Sequence, residues 1–276
     1  MFLRPWLWLG YALAALISCV APGSLHAEPA VLRAQGQDAW TTDLTWWVFT
    51  PLSTTGTSTV DGQSADIDMD LGEALEVLYF TSSLRLEAWR GDIGLLLDAS
   101  YLSLSEEGGT TLGGGPFARD LDAEIEAQQS WVSLMAGYRF LRSQTTSGNE
   151  IAADLHGGLR YNRIHQSLEF TGSGGDVDLG GTKTWWEPVV GARGMVEINP
   201  NWTFAAGADF AGFGVDGNDL AWSATAAFDW SFSERASLKL GYRYYSIDYE
   251  TGSGSDAFGW DIEQHGPLIG LTYAFK

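Results

Sequence analysis

Over residues 267–275 the chain alternates strictly, with Ile269, Leu271, Tyr273 and Phe275 on one face of an extended strand and Leu268, Gly270, Thr272 and Ala274 on the other. A soluble sandwich strand also alternates, but it turns its large apolar residues to a core and its polar residues to water. Here the second face carries the small residues that suit a crowded lumen. The pattern recurs: Trp202, Phe204, Ala206, Ala208 and Phe210 oppose Thr203, Ala205, Gly207 and Asp209, and Trp222, Ala224, Ala226, Phe228, Trp230 and Phe232 oppose Ser223, Thr225, Ala227, Asp229 and Ser231. Such a chain is constrained to a β-barrel with an apolar exterior in lipid and a polar interior. Trp202, Trp230 and Phe232 read as an aromatic girdle at one membrane interface.

Alternating segments fall at 43–52, 80–90, 93–105, 125–141, 151–170, 184–198, 202–213, 220–232, 237–249 and 258–275. Their connections are of two kinds. Short ones lie at 91–92, 143–149, 199–201 and 233–235; longer ones, rich in glycine and acid, lie at 51–78, 106–120, 172–181, 216–219 and 250–256. The expected fold is therefore all-β: a closed antiparallel up-and-down transmembrane barrel of about ten strands, with both termini and the short turns on the periplasmic side. Eight or twelve strands stay open, because 57–60 and 64–69 flank Asp61-Gly62, a hairpin signal. The stretch 56–79 reads as a plug or lid. Asp70 followed by Glu73 forms a capping box, and Leu71, Ala74, Leu75 and Leu78 share one face of a short helix in this first long loop.

Residues 1–27 carry one charge, Arg4, then an apolar run from Leu7 to Val20 and a small residue, Ala27, before the expected cleavage: a secretory signal peptide, leaving 28–276 as the barrel domain. Cys19 follows Leu16-Ile17-Ser18 as in a lipobox, but the signal tail continues to Ala27, so Cys19 is expected to be discarded with it. Beyond residue 27 no run of about 18 apolar residues offers a transmembrane helix. The exported part holds 14 basic and 35 acidic residues, a net charge of −21. That balance excludes nucleic acid as a partner and suits a surface protein whose neighbours are outer-membrane lipids, lipopolysaccharide and divalent cations. The C-terminal strand is the expected contact with the barrel assembly machinery, although Lys276 follows the aromatic Phe275.

Strand parity turns Arg85, Glu87, Asp98, Asp154, His156, Arg160, Glu187, Arg193, Asp209, Asp229, Lys239 and Arg243 into the lumen. Mixed charges in a narrow barrel are expected to pair and to close it. Catalysis has little to work with. His165-Gln166-Ser167 is similar to the His and Ser of outer-membrane lipid A deacylases, but Leu168 and Glu169 stand where that family has Asn and Gly, and no acid is placed. Asp176 and Asp178 lack the ligand count of a calcium site. No enzyme activity, metal or cofactor is expected.

Trp46-Trp47 and Pro51, the acidic Asp66-Ile67-Asp68 leading into the helix, the run from Glu87 to Gly91 before Ile93, and Thr184-Trp185-Trp186-Glu187-Pro188-Val189-Val190-Gly191 are carried in this order. In this the chain resembles uncharacterised outer-membrane β-barrel proteins of Gram-negative bacteria, grouped with porin-like and OmpA-like barrels. The resemblance spans nearly all of 28–276 and implies one barrel domain integral to the outer membrane, without an established activity. The expected role is structural or surface interaction, with a small-solute channel as the alternative and a lipid-modifying enzyme third.

Overall fold

The computed structural model describes residues 39–112, 119–172 and 177–275. The signal segment with Cys19, Asp176 and Lys276 lie outside the described residues. Ten antiparallel strands close the barrel: β1 (Thr41–Phe49), β4 (Leu78–Arg90), β5 (Ile93–Leu112), β6 (Arg119–Gln144), β7 (Glu150–Gly172), β8 (Val177–Asn199), β9 (Trp202–Val215), β10 (Asn218–Ser231), β11 (Ala236–Thr251) and β12 (Phe258–Phe275). Closure is made by β12 against β1, in register from Thr42 opposite Phe275 to Phe49 opposite Leu268. Full closure leaves no unpaired backbone facing lipid, which is what a membrane-spanning sheet requires.

The doubtful hairpin exists but is not part of the ring. Strands β2 (Ser53–Val60) and β3 (Gln63–Asp70) continue the line of β1 along the upper half of β12 and turn at Asp61-Gly62, both at positive φ. Between β1 and β2, Pro51 interrupts the ladder, while the Thr50 amide donates to the Pro267 carbonyl at 3.1 Å and the Leu52 amide to that of His265 at 2.8 Å. The backbones press so close there that a Cβ on Gly266 would lie 2.1 Å from the Thr50 oxygen. Helix α1 (Leu71–Val77) has the capping box read from the sequence: the Asp70 carboxylate accepts from the Gly72 and Glu73 amides, and Glu73 accepts from the Asp70 amide. Its apolar face is not buried as a plug would be. Ala74 is covered, but Leu71 and Leu75 stay more than a third exposed.

The segments 106–120 and 172–181, expected as loops, are largely strand. β5 and β6 remain paired up to Leu112 and Arg119, and β7 and β8 pair up to Phe170 and Val177. The turns at the other end are short, and both described chain ends lie there, the periplasmic end in outer-membrane barrels.

These long strands pass through two solvents. Cross-strand aromatic pairs mark an outer belt at Phe80–Tyr101, Tyr161–Trp186 and Trp222–Tyr244, and the Trp202–Trp230 pair marks the inner one. Trp222 and Trp230 are eight residues apart on β10. At ~3.4 Å per residue and a tilt of ~40°, that is about 20 Å along the axis, close to the ~25 Å apolar band of such barrels. Between the belts the outward residues are apolar, among them Leu95, Leu134, Leu155, Leu159, Val190, Phe228, Leu240 and Ile269. Above the outer belt the same outward parity carries Glu126, Gln128, Arg163, His165, Ser246, Asp248, Asp261 and Glu263. The inside changes in the opposite sense. Above the belt Ile164, Trp185, Ile247, Tyr249, Phe258, Trp260 and Ile262 pack into one buried cluster, and Ile67 of the hairpin packs against it.

Above the membrane, then, the walls approach as the two sheets of a sandwich. Trp185 on β8 stacks on Tyr249 of β11 with ring centroids 4.0 Å apart, and Ser58 of β2 donates to Gln166 of β7 at 2.9 Å. The polarity exchange makes opposite demands on two positions of β11. Leu240→Arg, in the lipid band, should cost about 2–4 kcal/mol near the bilayer midplane. Asp248→Arg, above the belt and opposite Asp261 on β12, removes a like-charge contact and should change stability by no more than about 0.5 kcal/mol. Reversible urea unfolding in lipid vesicles measures both.

Candidate functional site

The membrane-embedded half of the lumen is built from neighbouring strands whose register sets charge against charge. Arg85 faces Asp98 (2.6 Å), Lys239 faces Asp229 (2.6 Å), and Arg139 faces Asp154 with a two-point contact at 2.6 and 3.1 Å. Arg160 on β7 faces both Ser133, to which its Nε donates at 3.0 Å, and Glu187 at 4.0 Å. Glu187 in turn accepts from the Trp185 indole at 2.6 Å and from Asn218 at 2.5 Å.

Two contacts reach further. Arg193 of β8 crosses the lumen to grip Glu87 of β4 with both terminal nitrogens at 2.7 and 2.9 Å, and it also donates to Asp154 at 2.8 Å. His156 of β7 meets Asp209 of β9 at 2.5 Å across the intervening strand. That contact passes over Gly191, where a Cβ would lie 2.4 Å from the His156 Nε2 and 2.6 Å from the Asp209 Oδ1. A side chain at 191 would part the pair.

All twelve charged residues singled out in the sequence thus line or adjoin one lumen. Sequence parity missed Arg139, although it shares its inward face with Trp131, Ser133 and Met135; it and Asp154 are the most deeply buried of the ion pairs. A bulge at Phe140 and Leu141, both exposed, follows Arg139 and obscures the strand's parity near the turn. Also missed were the aromatic faces against which the guanidinium groups lie: Trp89 under Arg139, Trp47 under Arg85 and Trp131 under Arg160, at 4.6–5.6 Å. Such contacts let an arginine be desolvated on its faces while its edge serves a carboxylate.

Pairing does not fill the barrel. A cavity of about 120 Å³ remains, lined from Thr41 and Asp43 at the turn end to Trp131 and Leu268 at its inner end. On a scale of roughly 10–15 Å³ per water position it has room for on the order of ten waters. Above it the stack of Trp131 on Tyr245, 5.6 Å between centroids, begins the apolar cluster.

The possible chemistry is limited by order as well as by content. Ser223 donates to Asp209 at 3.4 Å and His156 contacts the other oxygen of the same carboxylate, so the acid stands between the hydroxyl and the imidazole. The imidazole is therefore not the group that could take the Ser223 proton. His165 lies on the outer face above the belt with Nδ1 2.9 Å from the Thr182 hydroxyl. Among the described residues no group of three or more His, Cys, Asp or Glu could hold a metal ion.

Stability should separate the deep pairs from superficial ones. Asp154→Asn removes the charge shared by Arg139 and Arg193 and should destabilise the barrel by about 3–5 kcal/mol. Asp92→Asn, at the half-exposed contact with Arg142, should cost about 1 kcal/mol or less. Urea unfolding in vesicles at matched pH checks both.

No protein-family model and no curated protein matches the sequence. Among solved structures, the chain is similar to the translocator domain of autotransporter NalP from Neisseria meningitidis, at 12% identity and a TM-score of 0.43, covering 97% of this chain and 95% of that one. It is similar to Ail, the attachment invasion locus protein of Yersinia pestis, at 10% identity, TM-score 0.35 and coverage of 87% and 100%. OprG from Pseudomonas aeruginosa gives 13%, 0.34, 91% and 99%. A closed ten-stranded antiparallel ring with an apolar outer band, two aromatic belts and a charged lumen gives this chain the fold of an outer-membrane β-barrel.

Proposed function

We propose that this barrel is a closed membrane anchor whose working surface is its extracellular sandwich, with a structural or surface-interaction role. The observation that carries this reading is the seal: Ile164, Trp185, Tyr249, Phe258, Trp260 and Ile262, all at most 4% exposed, occupy the space through which a solute would have to pass. A side-chain core packed to interior density is not a pore. The sequence assigned closure to the paired charges. The charged layer keeps a cavity of about 120 Å³, and the seal is the apolar layer above it. The outward face of the sandwich carries Asp248, Glu250, Asp261 and Glu263, a surface suited to meeting lipopolysaccharide phosphates through divalent cations.

Planar-bilayer recording tests the reading. The unaltered protein should show no steady conductance, whereas replacing Trp185, Tyr249 and Trp260 together with alanine should open a path and give discrete steps. Neutralising Arg193 alone should not, because the seal lies above it. A large steady conductance in the unaltered protein would make the small-solute channel the right reading.

A further inference from the structure

The paired lumen has one remainder. Arg243 sits on β11 between Thr225 of β10 and Gly266 of β12, so the register that gives every other lumen arginine a facing carboxylate gives Arg243 none. Its guanidinium lies 5.3 Å from the Tyr245 ring centroid, 5.5 Å from that of Trp131 and 5.9 Å from that of Phe49, and its Nε is buried without a hydrogen-bond partner. Aromatic faces attract the cation but do not satisfy its five in-plane donors. Of the carboxylates that line the cavity, Asp98 is bonded through Oδ2 by Arg85, Asp209 by His156 and Glu87 by Arg193, while Asp98 Oδ1 is buried without a hydrogen-bond partner. Among the described residues, Arg243 is thus a lumen cation with no ion-pair partner, at the inner end of a cavity that reaches the turn end of the barrel.

We propose that this cavity is a binding site for a small oxyanion, a phosphate- or carboxylate-sized group, held by the edge of Arg243 and entering from the periplasmic side. The chemistry follows from the surroundings. Two oxygens of a carboxylate or phosphate can accept parallel hydrogen bonds from a guanidinium edge, the arrangement that makes arginine the preferred partner of both. The space suits a group of a few heavy atoms and excludes a large solute. Thr225 lines the same cavity and offers a hydroxyl donor. The aromatic seal above gives the ligand one way in and the same way out, so the site binds without transport.

Isothermal titration calorimetry of the folded barrel in detergent, with sodium phosphate in one arm and sodium acetate in the other, tests the proposal. Saturable binding of at least one is expected, with phosphate alone or acetate alone identifying the preferred class. Arg243→Gln should weaken it about tenfold or more, the loss of one charge-assisted hydrogen bond to a desolvated group. No saturable heat from either anion, or unchanged affinity in Arg243→Gln, overturns the proposal. Folding of each variant is read from its migration in unheated against heated detergent gels. Should Arg243→Gln fail to fold, Thr225→Phe decides: it occupies the cavity beside an intact Arg243, so it must abolish binding, and retained binding overturns the site.

Discussion

The backbone of this barrel runs without a break through two environments that impose opposite rules on its side chains, and the rest of the structure answers to that constraint. In hydrocarbon every peptide group must be bonded internally, which a closed ladder achieves, and the apolar residues must point outward. Above the membrane the same ladder continues, but water lies outside, and a sheet is stable there only if it buries a hydrophobic face. The chain keeps the parity and exchanges the polarity. On β11, Leu238, Leu240 and Tyr242 face outward below the belt and Ser246, Asp248 and Glu250 above it, while the inward set changes from Lys239 and Arg243 to Tyr245, Ile247 and Tyr249. Each buried large side chain in the upper set contributes about 1.5–3 kcal/mol, so the sandwich has its own reason to collapse. On the proposed reading, that collapse shuts the lumen.

The charged layer follows from the first half of the same constraint. A lumen inside lipid cannot be filled by apolar residues alone and still hold water, and charges placed there are costly unless paired at once. Setting partners directly opposite each other on adjacent strands confines each pair to one register, so a one-residue slip of β7 would turn Asp154 and Arg160 toward lipid together and leave Arg139 and Glu187 without their partners. The network therefore specifies register at least as much as it adds stability. The Arg193–Glu87 contact adds what neighbouring pairs cannot, a tie across the barrel between β8 and β4.

What was legible in the sequence was whatever repeats with period two or is local. Strand parity placed the lumen charges, and the capping box of Asp70 and Glu73 located α1, because both signals need only a few consecutive residues. The upper ends of β5, β6 and β8 were hidden because residues such as Glu106-Glu107-Gly108-Gly109 and Asp178-Leu179-Gly180-Gly181 have the acid- and glycine-rich composition of loops; the exchange of polarity itself can be read within the expected strand 237–249, where Tyr245, Ile247 and Tyr249 alternate with Ser246 and Asp248. Partners across the lumen, and across the glycine at 191, depend on register and curvature, which no single segment encodes. Arg243 is the same lesson in reverse: its inward position was legible, its lack of a partner was not, since that depends on having Thr225 and Gly266 as neighbours.

Ring closure removes every sheet edge from the lipid, but the hairpin above it creates one again. Among the described residues β3 pairs only with β2, so one side of its backbone has no strand partner there. A long edge of this kind invites a second copy to add a strand. Here Asp66, Asp68 and Asp70 are exposed on the outward face and alternate with the less exposed Ile67 and Met69. A second β3 laid antiparallel along this edge would bring rows of carboxylates together on one face, and like charges in facing positions oppose pairing. The acidity that the sequence shows as bulk composition thus has a local use at this strand: it leaves the edge open to solvent while disfavouring self-association through it.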